Sequence, residues 1–438
     1  MTRDELRVGA PPADPIAELL QGMWVDPDSG KRTRVPIDAI AIEPTLRGTE
    51  GDRVEALALG RRFAVVSDVN THRILGERVE KSLRARAKVD SIVLEGDASP
   101  DGATTQRVRD ASRTADALIA VGSGTINDLA KYAAALDRKP YAVFATAPSM
   151  NGYTSANAAI TVDGHKKTLP ATLARGVFVD LEILSRAPLR MIRAGLGDSL
   201  CRPTAQIDWL MSHRVLGTPY KAAPFRLLEA DEPVLFGAPE ALVSGDAHAM
   251  RALARTLILS GIGMTICGGS YPASQGEHLI SHYIDMLSPP SRDAHLHGEQ
   301  VAVATLTMAR LQETMLATGP PLLRASPVGV GELQRHFGDD PGWACWDEFR
   351  HKRLDAERAA ALTERTAAVW AALQKEAASI AIPSSVLRDV MLRAGGPSTP
   401  ADIGLDRAFY ADAVSHARFL RNRYTFLDLA ADSGVPLS

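Results

Sequence analysis

Cysteine is scarce in this sequence. The 438 residues hold three, Cys201, Cys267 and Cys345, far apart and with no CxxC pair. That pattern argues against a disulfide framework and against a thiolate zinc site. An excess of one charge is also lacking: 49 Lys and Arg stand against 52 Asp and Glu, a formal net charge of -3. No nucleic acid and no anionic membrane surface is therefore expected as a partner, and an anionic substrate must be caught by a local pocket. Long apolar runs are missing. The richest, Thr256 to Gly269, falls short of the ~18 residues of a span and is interrupted by glycine. No membrane span is expected. The opening MTRDELRVGAPPADP carries acids early and no apolar core, unlike a secretory signal, so a cytoplasmic protein is expected.

The apolar share is 45%, enough for ordinary globular cores, and the length fits two or three domains of roughly 150 residues. Residues 1–45, with several prolines and charges, read as a loosely structured lead-in. Short apolar runs follow: Arg62 to Ser67, Asp90 to Leu94, Ala117 to Val121, Tyr141 to Ala145 and Gly176 to Asp180. Between the third and fourth, Ile126 to Ala135 reads as a helix. Such alternation predicts a parallel sheet with crossover helices. Past Ser185 the strand-like runs stop and helical spacing takes over, with helices expected over Leu253 to Cys267, Val301 to Ala317, Asp355 to Ala378, Ser385 to Ala394 and Arg407 to Arg421. The expected architecture is an α/β nucleotide-binding domain over 46–185 followed by an all-α domain over 186–438.

Two groups of residues carry chemistry. The first is ALIAVGSGTINDLAKYAA, which runs strand, glycine turn, helix. Glycines allow a pyrophosphate close to the backbone, and a helix N-terminus offers it free N–H groups and positive partial charge. Alone, this turn fits a plain βα connection equally well. Thr146-Ala147-Pro148-Ser149 follows the next strand and should lie beside it at the carboxyl edge of the sheet, where ligands of open α/β sheets bind.

The second group lies in the helical half. Gly195 to Leu200 reads as an aspartate in a glycine turn that opens a helix. His278 and His282 stand four apart, on one helix face. His297 starts the next helix. One carboxylate and two imidazoles suit a divalent zinc, nickel or iron ion that keeps positions open for substrate oxygens. Each histidine could instead be a helix cap or a satisfied core residue, but four of the chain's 11 lie between 278 and 297.

These motifs carry a resemblance. VGSGTINDLAKY, ATAPSMNGYTS, GLGDSLCRPTAQIDWLMSH, GGSYPASQGEHLISHYIDM, HLHGEQVA and ARFLRNRYTFLDLA, in that order over about residues 60–430, are similar to the sn-glycerol-1-phosphate dehydrogenases, above all to the bacterial AraM-like branch. That family lies within the iron-containing alcohol dehydrogenase and dehydroquinate synthase-like superfamily. The resemblance implies an NAD(P)H-dependent, metal-dependent reduction of dihydroxyacetone phosphate. Gly122, Ser123, Gly124, Thr125 and Ile126, with Asn127 and Asp128, would cradle the dinucleotide pyrophosphate. Thr146 and Ser149 would make a second dinucleotide contact, and Ser155 one on the nicotinamide side. Asp198, His278 and His297 would hold zinc or nickel, with iron as a further option. His282 would contact substrate and serve catalysis. Asp68 falls where the superfamily chooses between NAD and NADP, and a carboxylate there favours NAD.

Two positions depart from the family. Asn151 stands where an Asp is usual, and an amide cannot accept a proton at neutral pH. Cys201-Arg202 replaces Ala-Lys, and the Arg202 guanidinium could still hold a phosphate. Lys166 and Lys167 are further phosphate candidates. A small phosphorylated three-carbon substrate and a homo-oligomer, dimer or higher, are expected. The competing readings are a related dehydrogenase for an unphosphorylated polyol, a dehydroquinate synthase-like cyclase, or a ligand-binding homologue without turnover.

Overall fold

The structure, a computed structural model, describes residues 14–437 apart from 97, 163–164 and 289–294. Ten strands are described: β1 (Trp24–Val25), β2 (Arg32–Thr33), β3 (Ala39–Glu43), β4 (Arg62–Asp68), β5 (Lys88–Leu94), β6 (Ala117–Gly122), β7 (Tyr141–Ala145), β8 (Asn157–Val162), β9 (His165–Pro170) and β10 (Gly176–Asp180). Six of them form one parallel sheet in the order β3-β10-β7-β6-β4-β5. Its central strands are apolar on both sides because helices cover both faces. Phe63, Val65, Ile119, Val121, Phe144 and Phe178 pack on one face. The alternate residues Ala64, Val66, Leu118, Ala120, Val143 and Val177 pack on the other.

The strands expected from short apolar runs are all present, extended by at most two residues. The segment 1–45 differs from the expectation. Its described part holds the helix Pro15–Gln21, the antiparallel β1-β2 pair, and β3, an edge strand of the main sheet paired in parallel with β10. The run AIAIE is as long as other strand runs but lies between Pro36 and Pro44 in a proline-rich stretch, which masks the signal. The β8-β9 hairpin is likewise an addition to the expected strands. Its lysines and threonines mask the alternation that marks a half-buried strand.

Beyond Leu181 the described residues hold helices and connecting loops, with no strand among them. One core gathers between the sheet and the helix Ala247–Cys267, and a second within the C-terminal helices around Tyr283, Phe349, Trp370 and Phe426. The helix Ala247–Cys267 is long and apolar enough to cross a membrane by length and composition, but two-thirds of its most apolar stretch is buried inside the protein. Its two arginines are used internally, Arg251 on Ile42 O and Arg255 on Asp14 and Asp231. It is a core helix. The predicted helix over Arg407 to Arg421 stops at His416 and continues as a 3-10 turn, Ala417–Leu420.

Candidate active site

The helix Gly124–Leu136 begins at the carboxyl end of β6, with Ser123 as its cap residue. The Ser123 side chain makes no capping bond, so the first backbone N–H groups of this helix are not tied to it. Ser123, Gly124, Thr125, Asp128, Ser149 and Ser155 line a cleft of about 1050 Å³ between the sheet edge and the helices. Thr146 is buried beside them, its N–H donating to Gly122 O at 3.1 Å. Asp68 ends β4, one strand over from β6, where its Oδ1 accepts from Asn70 and Thr71 N–H at 2.8 and 2.9 Å. Asp128 Oδ2 accepts the Ala159 N–H at 3.0 Å and so anchors the β8-β9 hairpin to this helix. Lys131, which sequence reasoning passed over, is fully buried and donates to Gly152 O and Asn157 O at 2.6 and 2.9 Å. Its spacing in NDLAK is that of an ordinary helical lysine, so nothing marked it.

The opposite wall carries the charged cluster. Asp198 lies inside the helix Leu189–Leu200, near its end, rather than in a turn that opens a helix. The glycines around it serve close packing. A Cβ at Gly195 would stand 1.7 Å from Pro148 O, and one at Gly197 would stand 2.3 Å from Gly298 O. The first contact presses this helix against the loop after β7. The second presses it against the helix His297–Leu316. Together they bring Asp198 to His297. His278 and His282 lie on the helix Gly276–Leu287, as their spacing requires. Gln275, before that helix, makes no side-chain cap; buried Asp208 instead accepts the Gly276 N–H at 3.0 Å.

One donor atom each from Asp198, His278 and His297 lies within 4.8 Å of the others. Asp198 Oδ1 is 3.5 Å from His278 Nε2 and 3.9 Å from His297 Nε2. Two ligands on a tetrahedral ion at roughly 2.1 Å would be about 3.4 Å apart, so a divalent ion fits with small movement. The outer faces of both rings are engaged. His278 Nδ1–H donates to Glu277 Oε1 at 2.9 Å. Ser281 Oγ–H donates to Gln300 Oε1 at 2.6 Å, which leaves its oxygen to accept His297 Nδ1–H at 3.1 Å. Both Nε2 atoms are thereby turned inward, the usual orientation for metal-binding histidines. Asp198 Oδ2 accepts the Asn151 N–H at 2.9 Å, whereas its buried Oδ1 faces the two Nε2 atoms. A buried carboxylate oxygen is costly unless a cation or a donor meets it. Burial would raise the Asp198 pKa, but the two histidines and the Asn151 N–H outweigh it and hold the carboxyl below its ordinary range. Burial would also lower that of His278; hydrogen bonds to Asp198 and Glu277 overcome this and bring it to about 9. Glu277, Ser281 and Gln300 stand beside motif residues, but only the fold shows that they face the rings.

His282 lines the cleft, with its ring centroid 6.4 Å from those of both His278 and His297. Asn151 lies where the two walls meet, and its Nδ2 donates to Ser260 Oγ at 3.2 Å. Lys167 is exposed on β9 and lines the cleft. The Lys166 side chain is outside the described residues. Arg202 is not brought to the cleft. Its fork is held by both Glu232 oxygens, at 2.7 and 2.6 Å, and it also donates to Gln206. The helix Arg202–Leu216 starts with its first residue turned toward Glu232, which satisfies the charge internally.

A nucleotide-type sheet edge facing a carboxylate and two imidazoles defines a dinucleotide-linked metal dehydrogenase scaffold. The profile of the iron-containing alcohol dehydrogenase family matches residues 41–188, beginning within β3. The chain is 30% identical over 375 residues to glycerol-1-phosphate dehydrogenase [NAD(P)+] of Bacillus subtilis (strain 168), covering 84% of each chain. It is 34% identical over 368 residues to the protein of that name from Methanothermobacter thermautotrophicus, covering 84% of this chain and 85% of the relative. Among solved structures, glycerol dehydrogenase of Schizosaccharomyces pombe superposes with a TM-score of 0.61 at 16% identity, over 91% of this chain and 89% of that one. NADH-dependent butanol dehydrogenase A of Thermotoga maritima gives 0.58 at 14%, over 92% and 97%. Those two likenesses establish the fold. The sequence relatives establish more: the chain belongs to the glycerol-1-phosphate dehydrogenase family.

Proposed function

We propose that this protein is a metal-dependent oxidoreductase that interconverts dihydroxyacetone phosphate and sn-glycerol 1-phosphate with NAD(P). The observation that carries the reading is the gathering of buried Asp198 Oδ1 with the Nε2 atoms of His278 and His297 at ligand spacing, across the cleft from the glycine turn. The substrate class comes from the relatives, each named glycerol-1-phosphate dehydrogenase [NAD(P)+]. Asp198, His278 and His297 would hold zinc or nickel, with iron as the remaining option. The division of labour runs near residue 185, with the dinucleotide on the sheet side and metal and substrate on the helical side. Asp68 supports NAD over NADP, because its carboxylate is fixed at the end of β4 by two backbone N–H groups.

When bound, the metal supplies Lewis-acid polarisation of a substrate oxygen and the dinucleotide supplies hydride. The chain supplies the rest. Ser123, Gly124 and Thr125 offer N–H groups at the start of the helix Gly124–Leu136 to the pyrophosphate. Glu277 and Ser281 fix the tautomers of His278 and His297. His282, or a chain of water reaching the site, would give a proton to the reduced oxygen and take it back in the reverse direction. Asn151 orients; it cannot accept that proton.

The test is to strip the purified protein of metal, restore zinc or nickel, and follow NADH oxidation with dihydroxyacetone phosphate. Turnover that requires the metal is expected. Absence of turnover with this and related phosphorylated ketones, under each metal, overturns the assignment. Asn151 favours a second reading, a homologue that binds ligand without turnover. Binding of NADH and substrate with no oxidation would select it.

A further inference from the structure

The stretch ARFLRNRYTFLDLA carries three arginines, and two are each held by more than one partner. Arg418 lies between Asp428 and Asp432, with a 2.8 Å bond to Asp432 Oδ1. Arg423 donates to Ser274 O and, at 2.7 Å, to Ser270 Oγ, and its guanidinium stacks on Tyr271. Arg421 differs. It is half-buried, and among the described residues its guanidinium makes one hydrogen bond, from Nη2 to Thr168 Oγ1 at 3.1 Å. The neighbouring Glu348 spends its Oε2 on the Asn422 N–H at 2.7 Å. Burial lowers the Arg421 pKa, and the charge of Glu348 opposes this only in part. A guanidinium has five N–H donors, and holding one partly out of water with a single neutral acceptor is unfavourable unless an anion joins it.

Its position says where that anion would come from. Arg421 follows the 3-10 turn Ala417–Leu420, which packs on the helix that carries His278 and His282. It lines the same cleft as His282 and Asp285 of that helix and Lys167 and Thr168 of β9. We infer that Arg421 is the anion-gripping side chain of this cleft, taking the phosphate of a phosphorylated three-carbon ketone with Lys167 and Thr168 beside it. The inference rests on the dehydrogenase reading and extends it, since it names the group that separates phosphorylated from unphosphorylated substrates. A planar fork matches phosphate oxygens bidentately, which an ammonium cannot do.

The experiment uses the full metal-restored chain and the variants Arg421→Gln and Arg421→Lys. Three quantities are measured: kcat/KM for dihydroxyacetone phosphate, kcat/KM for dihydroxyacetone, and the Kd of inorganic phosphate by calorimetry. Arg421→Gln is expected to lower the first by at least tenfold, to leave the second within about twofold, and to weaken phosphate at least tenfold. Arg421→Lys should fall between it and the parent. Phosphate binding unchanged in both variants overturns the inference, as does an equal loss on both ketones. If Arg421→Gln does not fold, Arg421→Lys decides alone: phosphate binding equal to that of the parent refutes the role of the fork. The calorimetry separates this inference from the reading beneath it. A parent protein that binds phosphate through Arg421 but does not reduce the ketone keeps the anion site and loses the dehydrogenase. A parent that reduces the ketone without need of Arg421 does the reverse.

Discussion

Substitution of Glu277 by Gln tests whether the metal site is organised from behind its ligands. Glu277 is fully buried, and its Oε1 accepts from His278 Nδ1–H at 2.9 Å and from the Gln275 N–H at 2.8 Å. Glutamine keeps an acceptor at that place but removes the charge. A hydrogen bond to a charged group is worth about 1.5–3 kcal/mol net and a neutral one about 0.5–1.5. The expected loss is therefore about 1–1.5 kcal/mol, or roughly tenfold in metal affinity, the lower end of what outer partners of metal-bound histidines contribute. A second effect opposes it. The hydrogen bonds to Asp198 and Glu277 hold His278 at a pKa of about 9, so at neutral pH a proton competes with the metal for Nε2. Removing the Glu277 charge weakens that proton too. The parent protein should therefore gain metal affinity as pH rises toward about 9, and the deficit of Glu277→Gln should be smallest at neutral pH and clearest above that value. Chelator competition across that range measures both. Equal affinities for parent and variant at high pH would refute the argument that Glu277 positions His278.

Asp198→Ala should abolish stoichiometric metal binding, read by elemental analysis; metal retained at one per chain would remove Asp198 from the ligand set. Gly195→Ala places a methyl 1.7 Å from Pro148 O, a backbone contact that cannot rotate away, so a loss of at least about 1–3 kcal/mol in denaturant unfolding is expected. Asn151→Asp should raise kcat if the amide only weakens a proton path; unchanged or lower kcat would mean that the amide serves the substrate itself. His336 stacks on His416 at 3.8 Å between ring centroids and meets the Tyr283 hydroxyl at 2.9 Å. Burial first, then the charge of His416, lowers its pKa, against the pull of Asp412. A histidine depressed in the folded state stabilises above its unfolded pKa of about 6.5 and loses that stability as pH falls through its folded value. The parent should thus lose melting temperature faster than His336→Gln does as pH falls below about 6.5; parallel curves would show that burial does not depress His336 in the folded state.

Sequence and structure agree where local patterning decides, and part where distant contacts do. Four of the five predicted sheet strands are short runs largely buried on both faces, and the fifth, edge strand β5, still carries the apolar run that marks it; the unpredicted strands are the two-residue β1 and β2, the partly buried edge strand β3, and the β8-β9 hairpin. The four-residue spacing of His278 and His282 is a property of one helix, and the fold keeps it. Asp198 does not sit in an opening turn, because glycine signals a turn only when the local chain decides. Here Gly195 and Gly197 answer to neighbours far away in sequence, Pro148 and Gly298. Arg202 departs from its expected role for a related reason. Its residue type suits a phosphate, but its partner Glu232, 30 residues on, claims the fork.

The same long-range contacts explain how two halves make one site. Asp198 reaches its position only because the helix Leu189–Leu200 is pressed against two elements at once. Gly195 seats it on the loop that follows β7, and Gly197 seats it on the helix that begins with His297. Asn151, on the extension of that same loop, then closes the joint by giving its N–H to Asp198 Oδ2. The backbone of residue 151 therefore holds the metal-side carboxylate whichever side chain it bears, while the side chain is free to vary toward Ser260. That division explains how an amide can stand here without dismantling the proposed ligand set. It also limits what Asn151→Asp should change to proton chemistry and substrate contact in the cleft, since the backbone N–H that holds Asp198 Oδ2 remains.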